Sequence, residues 1–428
     1  MAPQYKLTYF DVGGTAEVSR YLFSYGGIEF EDVRIKRENW AQLKDKTPFG
    51  ALPTLEHNGK VVGQSVAIAR YLAKKVKLVG DDDWENLEID AIVDTINDIR
   101  LKVFPIFMEK DEAKKKALIE TLKNDTFGFY LPRLEAEVQK NKGYLVLGRL
   151  TWADFYFTTL SPMFDLITGE DVLASYPNLK GVKEKVNALP VIKKWIEIRP
   201  KSHTKKDIAK TQYYTHNIRP IFFQMAPQYK LTYFDFPGIA ETCRYLFSYG
   251  GIEFEDVRIK RENWAQLKDK TPFGVLPTLE HNGKVVGQSL AINRYLAKKV
   301  KLAGDNEWEN LEVDATADTL NDIRLKIIPV FMEQDDAKKK ALLETVKKDT
   351  FGYYLPRLEA QVQKNKGHLA LGRLTWADFY FATLSPVFDL LTGEDVLASY
   401  PNLKGVREKV NALPAIKKWL ESRPKSGH

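Results

Sequence analysis

The chain has 428 residues, of which 44% are hydrophobic and 28% are charged, and this length allows roughly two to four compact domains. Its longest apolar runs fall well short of the roughly 20 residues that a membrane span requires. Of the net charge of +7, residues 201–224 carry +4, since they hold five basic residues and one acidic residue. The remaining charge is spread thinly, so we expect no nucleic-acid-binding surface and no membrane partner.

The first residues, "MAPQYK", lead directly into a strand-like pattern, without the basic and apolar stretches of a secretory leader. Cys243 is the one cysteine, which excludes a disulfide framework and suits a reducing compartment. We therefore expect a cytoplasmic protein.

The string "MAPQYKLTYFD" begins at residue 1 and again at residue 225. Aligned without a gap from there, the two stretches differ at 34 of 200 positions. Many differences, such as Ile96 against Leu320, conserve side-chain volume. The period is far too long for a solenoid repeat, so we interpret it as a whole protein written twice, and both copies should share one fold.

The first third of each copy alternates strand and helix patterns. "YKLTYF" predicts a strand, "AEVSRYLFSYGG" a helix ended by glycines, and "EFEDVRI" a second strand. "LPTLEHNGKVVGQ" predicts two short strands around a type I′ turn at Asn58-Gly59, and "SVAIARYLAKKV" predicts a helix with Ser65 as its N-cap. This β-α-β then β-β-α order predicts an α/β thioredoxin-like domain.

The rest of each copy is predicted to be all-α. Strand patterns disappear from about Asp81, and helical patterns cover 85–110, 112–140, 152–167 and 175–197. In "TWADFYF", Thr151 and Asp154 have the spacing of a capping box, and Thr375 and Asp378 repeat it. The predicted domains are 1–79 and 225–303 (thioredoxin-like), 80–200 and 304–428 (all-helical), and a basic linker at 201–224.

A thioredoxin-like domain without Cys-x-x-Cys, followed by a helical domain with a "TWAD" cap, resembles the cytosolic glutathione transferases. The strings "YKLTYFD…AE…RYLFSYG", "TPFGALPTLE", "GQSVAIARYLAK" and "DAIVDTINDIR" are similar to the sigma class, which includes haematopoietic-type prostaglandin D synthases and arthropod transferases. The resemblance covers nearly the whole of both copies. It implies glutathione as co-substrate, no required metal, and conjugation of small hydrophobic electrophiles.

Such an enzyme must stabilise the thiolate of glutathione, because the free thiol is mostly protonated at neutral pH. A neutral hydroxyl at the end of the first strand can do so by a charge-assisted hydrogen bond. The resemblance gives that role to Tyr9 and Tyr233. Without the resemblance, each would be read as a core tyrosine with a satisfied hydroxyl.

The resemblance also implies a set of glutathione-binding residues in each copy. A leucine with a following cis-proline would face the peptide backbone of glutathione, and a Gln-Ser pair at a helix N-terminus would bind its γ-glutamyl carboxylate. A tryptophan and a lysine would contact the glycyl end, and an aspartate would reach the ligand of the neighbouring protomer. In copy 1 these are Trp40, Lys44, Leu52, Pro53, Gln64, Ser65 and Asp98; in copy 2 they are Trp264, Lys268, Leu276, Pro277, Gln288, Ser289 and Asp322.

The loops after the tyrosines depart from the family pattern. Relatives usually carry a basic residue there, but "DVGGTAEV" and "DFPGIAET" have none before the helix. Ala51 and Val275 stand where relatives often have Lys or Gln. A lost charge-assisted hydrogen bond would weaken glutathione binding by about 1.5–3 kcal/mol. The loops also differ from each other, as do Val103-Phe104 and Ile327-Ile328, which predicts different electrophile preferences.

Family members are dimers, and here two protomers share one chain. Residues 201–224 can extend to roughly 80 Å, and a linked partner has an effective concentration of order mM. We therefore expect the copies to pair within the chain as a pseudo-dimer, with Asp322 facing site 1 and Asp98 facing site 2. The linker matches neither end of the repeat. Two origins remain open: it is a leader sequence read through between tandem genes, or it results from the joining of two gene models.

The sequence thus predicts a tandem glutathione transferase, with prostaglandin-H isomerisation and peroxide reduction as candidate side activities. The alternative is a weakly active or inactive structural or ligand-binding protein of the same fold, like the crystallins of cephalopod lenses. The departures at positions 13, 15 and 51 fit this alternative.

Overall fold

The computed structural model describes residues 4–200 and 229–424. The predicted linker at 201–224 lies outside these residues. The chain forms two compact units. One holds the described residues of Met1–Leu43, Leu52–Val61 and Ile68–Pro227, and the other holds those of Lys44–Ala51, Val62–Ala67 and Gln228–His428. The second unit therefore includes two short segments of copy 1.

Each copy contains a four-stranded mixed sheet. The strands of copy 1 are β1 (Tyr5–Phe10), β2 (Phe30–Ile35), β3 (Thr54–His57) and β4 (Lys60–Val62), and those of copy 2 are β5 (Tyr229–Phe234), β6 (Phe254–Ile259), β7 (Thr278–His281) and β8 (Lys284–Val286). The strand orders are β2-β1-β3-β4 and β6-β5-β7-β8. The first strand of each sheet runs parallel to the second and antiparallel to the third. This confirms the predicted β-α-β and β-β-α order.

The turn between β7 and β8 has the predicted geometry. These strands pair antiparallel, and the φ angles of Asn282 and Gly283 between them are 51° and 73°. Asn58 and Gly59 have the same φ angles. Two consecutive residues with positive φ are the mark of a type I′ turn, as "HNGK" predicts.

Helices make up the rest of each copy. In copy 1 they are α1 (Glu17–Tyr25), α2 (Trp40–Leu43), α3 (Ser65–Lys75), α4 (Asp83–Met108), α5 (Glu112–Thr121), α6 (Gly128–Lys140), α7 (Trp152–Leu160), α8 (Pro162–Thr168), α9 (Pro177–Ala188) and α10 (Pro190–Ile198). In copy 2 they are α11 (Glu241–Gly250), α12 (Trp264–Leu267), α13 (Ser289–Lys299), α14 (Glu307–Met332), α15 (Asp336–Thr345), α16 (Gly352–Lys364), α17 (Trp376–Thr392), α18 (Pro401–Asn411) and α19 (Pro414–Ser422). A thioredoxin-like domain followed by an all-α domain, twice over, is the predicted fold class.

Three predicted helices are divided in copy 1. The stretch 152–167 is divided at Ser161 into α7 and α8, whereas α17 of copy 2 is continuous. The stretch 112–140 is divided into α5 and α6 by a π-helical turn at Leu122–Phe127. The stretch 175–197 is divided at Leu189, whose φ of −55° and ψ of 127° are not helical. The physical reason is Pro190, because the ring of a proline disfavours helical geometry in the residue before it.

The predicted capping boxes are confirmed at the start of α7 and α17. The carboxylate of Asp154 accepts hydrogen bonds from the Thr151 amide at 2.8 Å and the Leu145 amide at 2.9 Å. Asp154 is fully buried, and its burial raises the pKa of the carboxyl to about 6. The box therefore fixes both the helix start and the loop before it.

The last helix of copy 1 is tied to the first. The indole Nε1 of Trp195 on α10 donates to Oε1 of Glu17 on α1 at 3.0 Å. Trp419 and Glu241 repeat this bond at 2.9 Å. Because α1 and α11 directly follow the loops beside the predicted tyrosines, these bonds help to hold the loops in place.

Candidate active site

The two tyrosines expected to act on the glutathione thiol lie near the ends of equivalent strands. Tyr9 is the fifth residue of β1 and Tyr233 the fifth of β5, and both strands are interior in their sheets. Tyr9 is half-buried, whereas only 6% of Tyr233 is exposed. Identical strands thus present their tyrosines to solvent to different extents.

A glycine in each loop lets the chain pass close to the tyrosine hydroxyl. Gly14 has a φ of +50°, and a Cβ added there would lie 2.7 Å from the hydroxyl oxygen of Tyr9. Gly238, with a φ of +47°, stands in the same relation to Tyr233. Any larger residue would displace the tyrosine. Both the positive φ and the close approach to the hydroxyl therefore require glycine at this position.

A buried arginine on α1 holds the loop of copy 1. Nη1 of Arg20 donates to the carbonyl oxygens of Val12 at 2.9 Å and Gly13 at 3.3 Å, and Nε donates to Asp32 at 2.9 Å. Arg20 is fully buried, and its guanidinium carbon lies 6.0 Å from the centre of the Tyr9 ring. The arginine thus holds the loop, and its guanidinium lies beside the Tyr9 ring.

Positive charges also surround the tyrosine of copy 2. Burial raises the pKa of Tyr233 above its ordinary value, while a hydrogen bond with the Ile239 backbone and the charges of Arg324, Arg244 and Arg261 act in the opposite direction. The net shift is upward, so the hydroxyl is protonated at neutral pH and can donate a hydrogen bond.

Two arginines that the sequence analysis did not single out hold the loops beside the tyrosines. The loops lack a basic residue, but Arg20 and Arg244, one turn further along the chain, point their guanidinium groups back at the loop carbonyls. The signal that could have found them is an arginine within a stretch of helix that is otherwise buried, where an unpaired charge would be costly.

Both predicted proline bonds are cis, Leu52-Pro53 in copy 1 and Leu276-Pro277 in copy 2. Their contact with glutathione stays a prediction. In each copy the residue after the tyrosine packs edge-on against the predicted tryptophan, with ring centres 5.6 Å apart for Phe10 and Trp40 and 5.8 Å apart for Phe234 and Trp264.

The Gln-Ser pairs stand at helix starts, with one correction. Ser65, which was predicted as an N-cap, is instead the first helical residue of α3. Ser289 has the same place in α13, whose N-cap is Gln288. Gln64 and Gln288 have φ angles of 73° and 71°. The amides of the first turn remain suited to an anion, because they have no partner within the helix.

The predicted aspartates lie on the long helices α4 and α14. In the second unit, Nε2 of Gln64 donates to Oδ2 of Asp322 at 2.9 Å and to Oγ1 of Thr319 at 3.1 Å. In the first unit, burial raises the pKa of Tyr130 to about 12, and the charge of Asp98 acts in the same direction. The structure therefore brings the predicted Gln64 and Asp322 into direct contact.

The predicted residues of copy 2 all belong to one compact unit. The copy 1 residues in the first unit are Tyr9, Trp40, Leu52, Pro53 and Asp98, and those in the second unit are Lys44, Gln64 and Ser65.

Within residues 4–200 and 229–424, no three His, Cys, Asp or Glu side chains are grouped as a metal site would require. In the same part of the chain, no helix is both long and apolar enough to cross a membrane.

Comparisons with known proteins agree with this architecture. The family model described as the glutathione S-transferase N-terminal domain matches residues 5–74 and 229–298, and the one described as the C-terminal domain matches residues 97–199 and 321–423. The sequence is 47% identical to glutathione S-transferase S1 of Drosophila melanogaster over 46% of this chain and 79% of that protein.

Two further relatives match 98% of their own length, which corresponds to one copy here. Glutathione S-transferase of Anopheles gambiae is 46% identical over 46% of this chain. Hematopoietic prostaglandin D synthase of Homo sapiens is 38% identical over 47% of this chain. These relatives fit the predicted sigma class, and each domain type occurs twice. The chain therefore belongs to the glutathione S-transferase family, as two copies in tandem.

Proposed function

We propose that each copy activates the thiol of glutathione through its tyrosine hydroxyl, Tyr9 in copy 1 and Tyr233 in copy 2. The observation that carries the proposal is a tyrosine hydroxyl beside a glycine turn in each copy, with a buried arginine bonded to the carbonyl oxygens of that loop. A neutral donor near positive charge stabilises a thiolate by a charge-assisted hydrogen bond. The thiolate, not the thiol, is the nucleophile.

The conjugation step then needs little more than positioning. The sulfur of bound glutathione attacks an electrophilic carbon, and a carbon–sulfur bond forms. With an aryl chloride, the carbon–chlorine bond breaks and chloride leaves with its electron pair, while the thiol proton has already gone to solvent. Small hydrophobic electrophiles are the proposed substrates.

The remaining predicted residues would hold glutathione in place. The cis Leu-Pro pairs would face the peptide backbone of glutathione. The first-turn amides of α3 and α13 would bind its γ-glutamyl carboxylate, and the Trp and Lys side chains would contact its glycyl end. The set comprises Trp40, Lys44, Leu52, Pro53, Gln64 and Ser65 in copy 1 and Trp264, Lys268, Leu276, Pro277, Gln288 and Ser289 in copy 2.

We also propose that the two copies pair within one chain, with Asp322 serving the site of Tyr9 and Asp98 that of Tyr233. The contact of Gln64 with Asp322 in the second unit supports this arrangement. The same unit contains an ion pair of 3.0 Å between Asp45 and the guanidinium of an arginine on α16, Arg357. Both contacts join a copy 1 segment to copy 2 helices.

Two secondary activities follow from the same chemistry. Isomerisation of prostaglandin H and reduction of peroxides both begin with an activated thiolate. The name of the human relative supports the first of these. The cytosol, where glutathione is abundant and Cys243 would stay reduced, is the location we infer.

A structural or ligand-binding role is the second candidate function. The near-complete burial of Tyr233 favours it for copy 2. The test is retention on glutathione resin together with conjugation of 1-chloro-2,4-dinitrobenzene. A transferase is retained and active, and Tyr9→Phe and Tyr233→Phe lower the activity additively. Neither retention nor conjugation by the intact chain would favour the structural role.

A further inference from the structure

Each copy has a buried glutamate directly after the loop that follows its tyrosine. This tyrosine loop comprises residues 11–16 in copy 1 and 235–240 in copy 2. Glu17 and Glu241 are the first residues of α1 and α11, and they are only 4% and 3% exposed. A buried carboxylate is costly unless it is paired and hydrogen-bonded, so its partners show what it holds together.

One oxygen of the glutamate binds the last helix of the same copy. Oε1 of Glu17 accepts hydrogen bonds from Nε1 of Trp195 on α10 at 3.0 Å and from the guanidinium of Arg199, the residue after that helix. The two equivalent bonds to Oε1 of Glu241 measure 2.9 and 2.7 Å. The end of each copy is therefore bonded to its first helix.

The other oxygen binds the arginine that holds the tyrosine loop. Oε2 of Glu17 accepts a hydrogen bond from Nη1 of Arg20 at 3.1 Å. The same nitrogen donates to the carbonyl oxygens of Val12 at 2.9 Å and Gly13 at 3.3 Å. Copy 2 repeats these three bonds at 3.1, 3.2 and 3.1 Å. One carboxylate thus joins the last helix to the arginine that anchors the loop.

The tyrosine loop in turn packs against the reacting hydroxyl. A Cβ added to Gly14 would lie 2.7 Å from the hydroxyl oxygen of Tyr9, and Oγ1 of Thr15 donates to that oxygen at 3.2 Å. Copy 2 has the same close approach at Gly238. A shift of the loop would therefore move or turn the hydroxyl.

The residues predicted to hold glutathione lie on other elements. In copy 1 they lie between Trp40, at the start of α2, and Ser65, at the start of α3, and the predicted aspartates lie on α4 and α14. The glutamate binds α1, the last helix and the tyrosine loop. Loosening these bonds should therefore affect how the hydroxyl is aimed more than how glutathione is held.

We propose that Glu17 and Glu241 are positioning residues, each of which anchors its tyrosine loop to the last helix and so aims the tyrosine hydroxyl at the sulfur of glutathione. This inference rests on the proposed function of the tyrosines. Loss of the bond to the last helix lowers kcat, because the hydroxyl is less often in the reactive geometry, and leaves the glutathione KM unchanged. Each glutamate acts on the site of its own copy.

The test uses chains with one working tyrosine. Tyr233→Phe isolates copy 1 and Tyr9→Phe isolates copy 2, and conjugation of 1-chloro-2,4-dinitrobenzene gives kcat and the glutathione KM. Trp195→Phe keeps an aromatic ring on α10 but removes the N–H donor. In the Tyr233→Phe chain it should lower kcat by about two- to tenfold, as loss of one hydrogen bond would, without raising the glutathione KM. In the Tyr9→Phe chain it should change neither, and Trp419→Phe should show the opposite pattern.

Further variants of the Tyr233→Phe chain test whether the effect passes through the carboxylate. Arg199→Ala should also lower kcat, and Arg199→Lys should restore part of it, because lysine keeps the charge. Glu17→Gln and Trp195→Phe together should lower kcat by less than the product of their separate effects, since both act on the same group. A combined effect equal to the product would overturn the proposed route.

Ile192→Val is the matched control, because Ile192 is fully buried on the same helix and its side chain has no hydrogen-bonding group. It weakens the packing of α10 and should leave kcat unchanged. A kcat that Trp195→Phe leaves unmoved in a folded chain, or that Ile192→Val lowers equally, overturns the inference alone. Conjugation that survives Tyr9→Phe and Tyr233→Phe together instead overturns the proposed function.

Discussion

Phe236 packs edge-on against Tyr233, with ring centres 5.4 Å apart and ring planes inclined by 65°. Val12 at the equivalent position of copy 1 is 36% exposed and leaves Tyr9 half-buried. The two candidate sites therefore differ in the side chain that follows the strand beside the tyrosine. Pro237 and Gly13, the next residues of the two loops, extend the difference, since proline restricts the backbone and glycine does not.

This difference predicts distinct electrophile preferences. In the Tyr9→Phe chain, Phe236→Val should lower kcat/KM for planar aromatic electrophiles by about two- to tenfold, because one aromatic pair is worth about 0.5–1.5 kcal/mol. Val12→Phe in the Tyr233→Phe chain should raise it for the same compounds. Steady-state kinetics with planar and branched electrophiles measures both. Identical substrate profiles for the two unmodified sites would refute the prediction.

A second prediction concerns the aspartates of the long helices. If Asp322 serves the site of Tyr9, Asp322→Asn should raise the glutathione KM about tenfold or more in the Tyr233→Phe chain, since a charged hydrogen bond is worth about 1.5–3 kcal/mol. It should leave the glutathione KM of the Tyr9→Phe chain unchanged. Asp98→Asn is the matched control, with the opposite pattern. An effect of each aspartate on the tyrosine of its own copy would contradict the proposed pairing.

Pairing within the chain also predicts the mass in solution. If the two copies of one chain pair with each other, neither copy has a dimer interface left for a second chain. Light scattering should therefore give about the mass of one chain, 49.1 kDa, over a wide concentration range. A stable assembly of two chains whose copies pair between chains would count against intramolecular pairing.

The capping box predicts an effect on stability. Asp154→Ala leaves the amides of Thr151 and Leu145 without their acceptor and should lower the free energy of unfolding by about 2–4 kcal/mol. Denaturant unfolding measures this change. Asp125→Ala, at an exposed position, is the control and should change it by less than about 0.5 kcal/mol. Equal effects of the two substitutions would refute the role of the box.

The shifted pKa of Asp154 predicts that the free energy of unfolding depends on pH. Its pKa is raised to about 6 in the folded chain, above the ordinary value of 3.8, so the folded state favours the protonated form. Its contribution to stability is therefore full below about pH 4 and falls as pH rises through 6. The Asp154→Ala chain should lack this part of the pH dependence. A wild-type profile that Asp154→Ala leaves unchanged in shape would contradict the shift.

Local patterns were sufficient to predict much of the fold. The Asn-Gly turn and the "TWAD" cap each depend on a few adjacent residues, and the structure confirms them. The duplication follows from the repeat itself, and each copy has the same fold. The helix breaks at Leu122–Phe127 and at Leu189 were missed, because apolar periodicity continues through a π-turn and across the Leu189-Pro190 junction.

The candidate site was predicted less completely. Its residue types came from the family resemblance, but the contacts among them depend on the folded chain. Arg20 was missed because its loop contacts run back along the chain to Val12 and Gly13. The bond from Thr15 to Tyr9 was missed for a similar reason, since it requires the turn at Gly14 to press the loop against the strand end.

The most direct test of tyrosine activation in both copies is the number of glutathione thiolates bound per chain near neutral pH. Ultraviolet difference absorbance at saturating glutathione counts them. We predict that each copy of the wild-type chain contributes to the thiolate absorbance. Tyr9→Phe should remove the contribution of copy 1, Tyr233→Phe should remove that of copy 2, and the double variant should show no thiolate absorbance. All four chains should still bind glutathione. A double variant that keeps the wild-type absorbance would contradict the account.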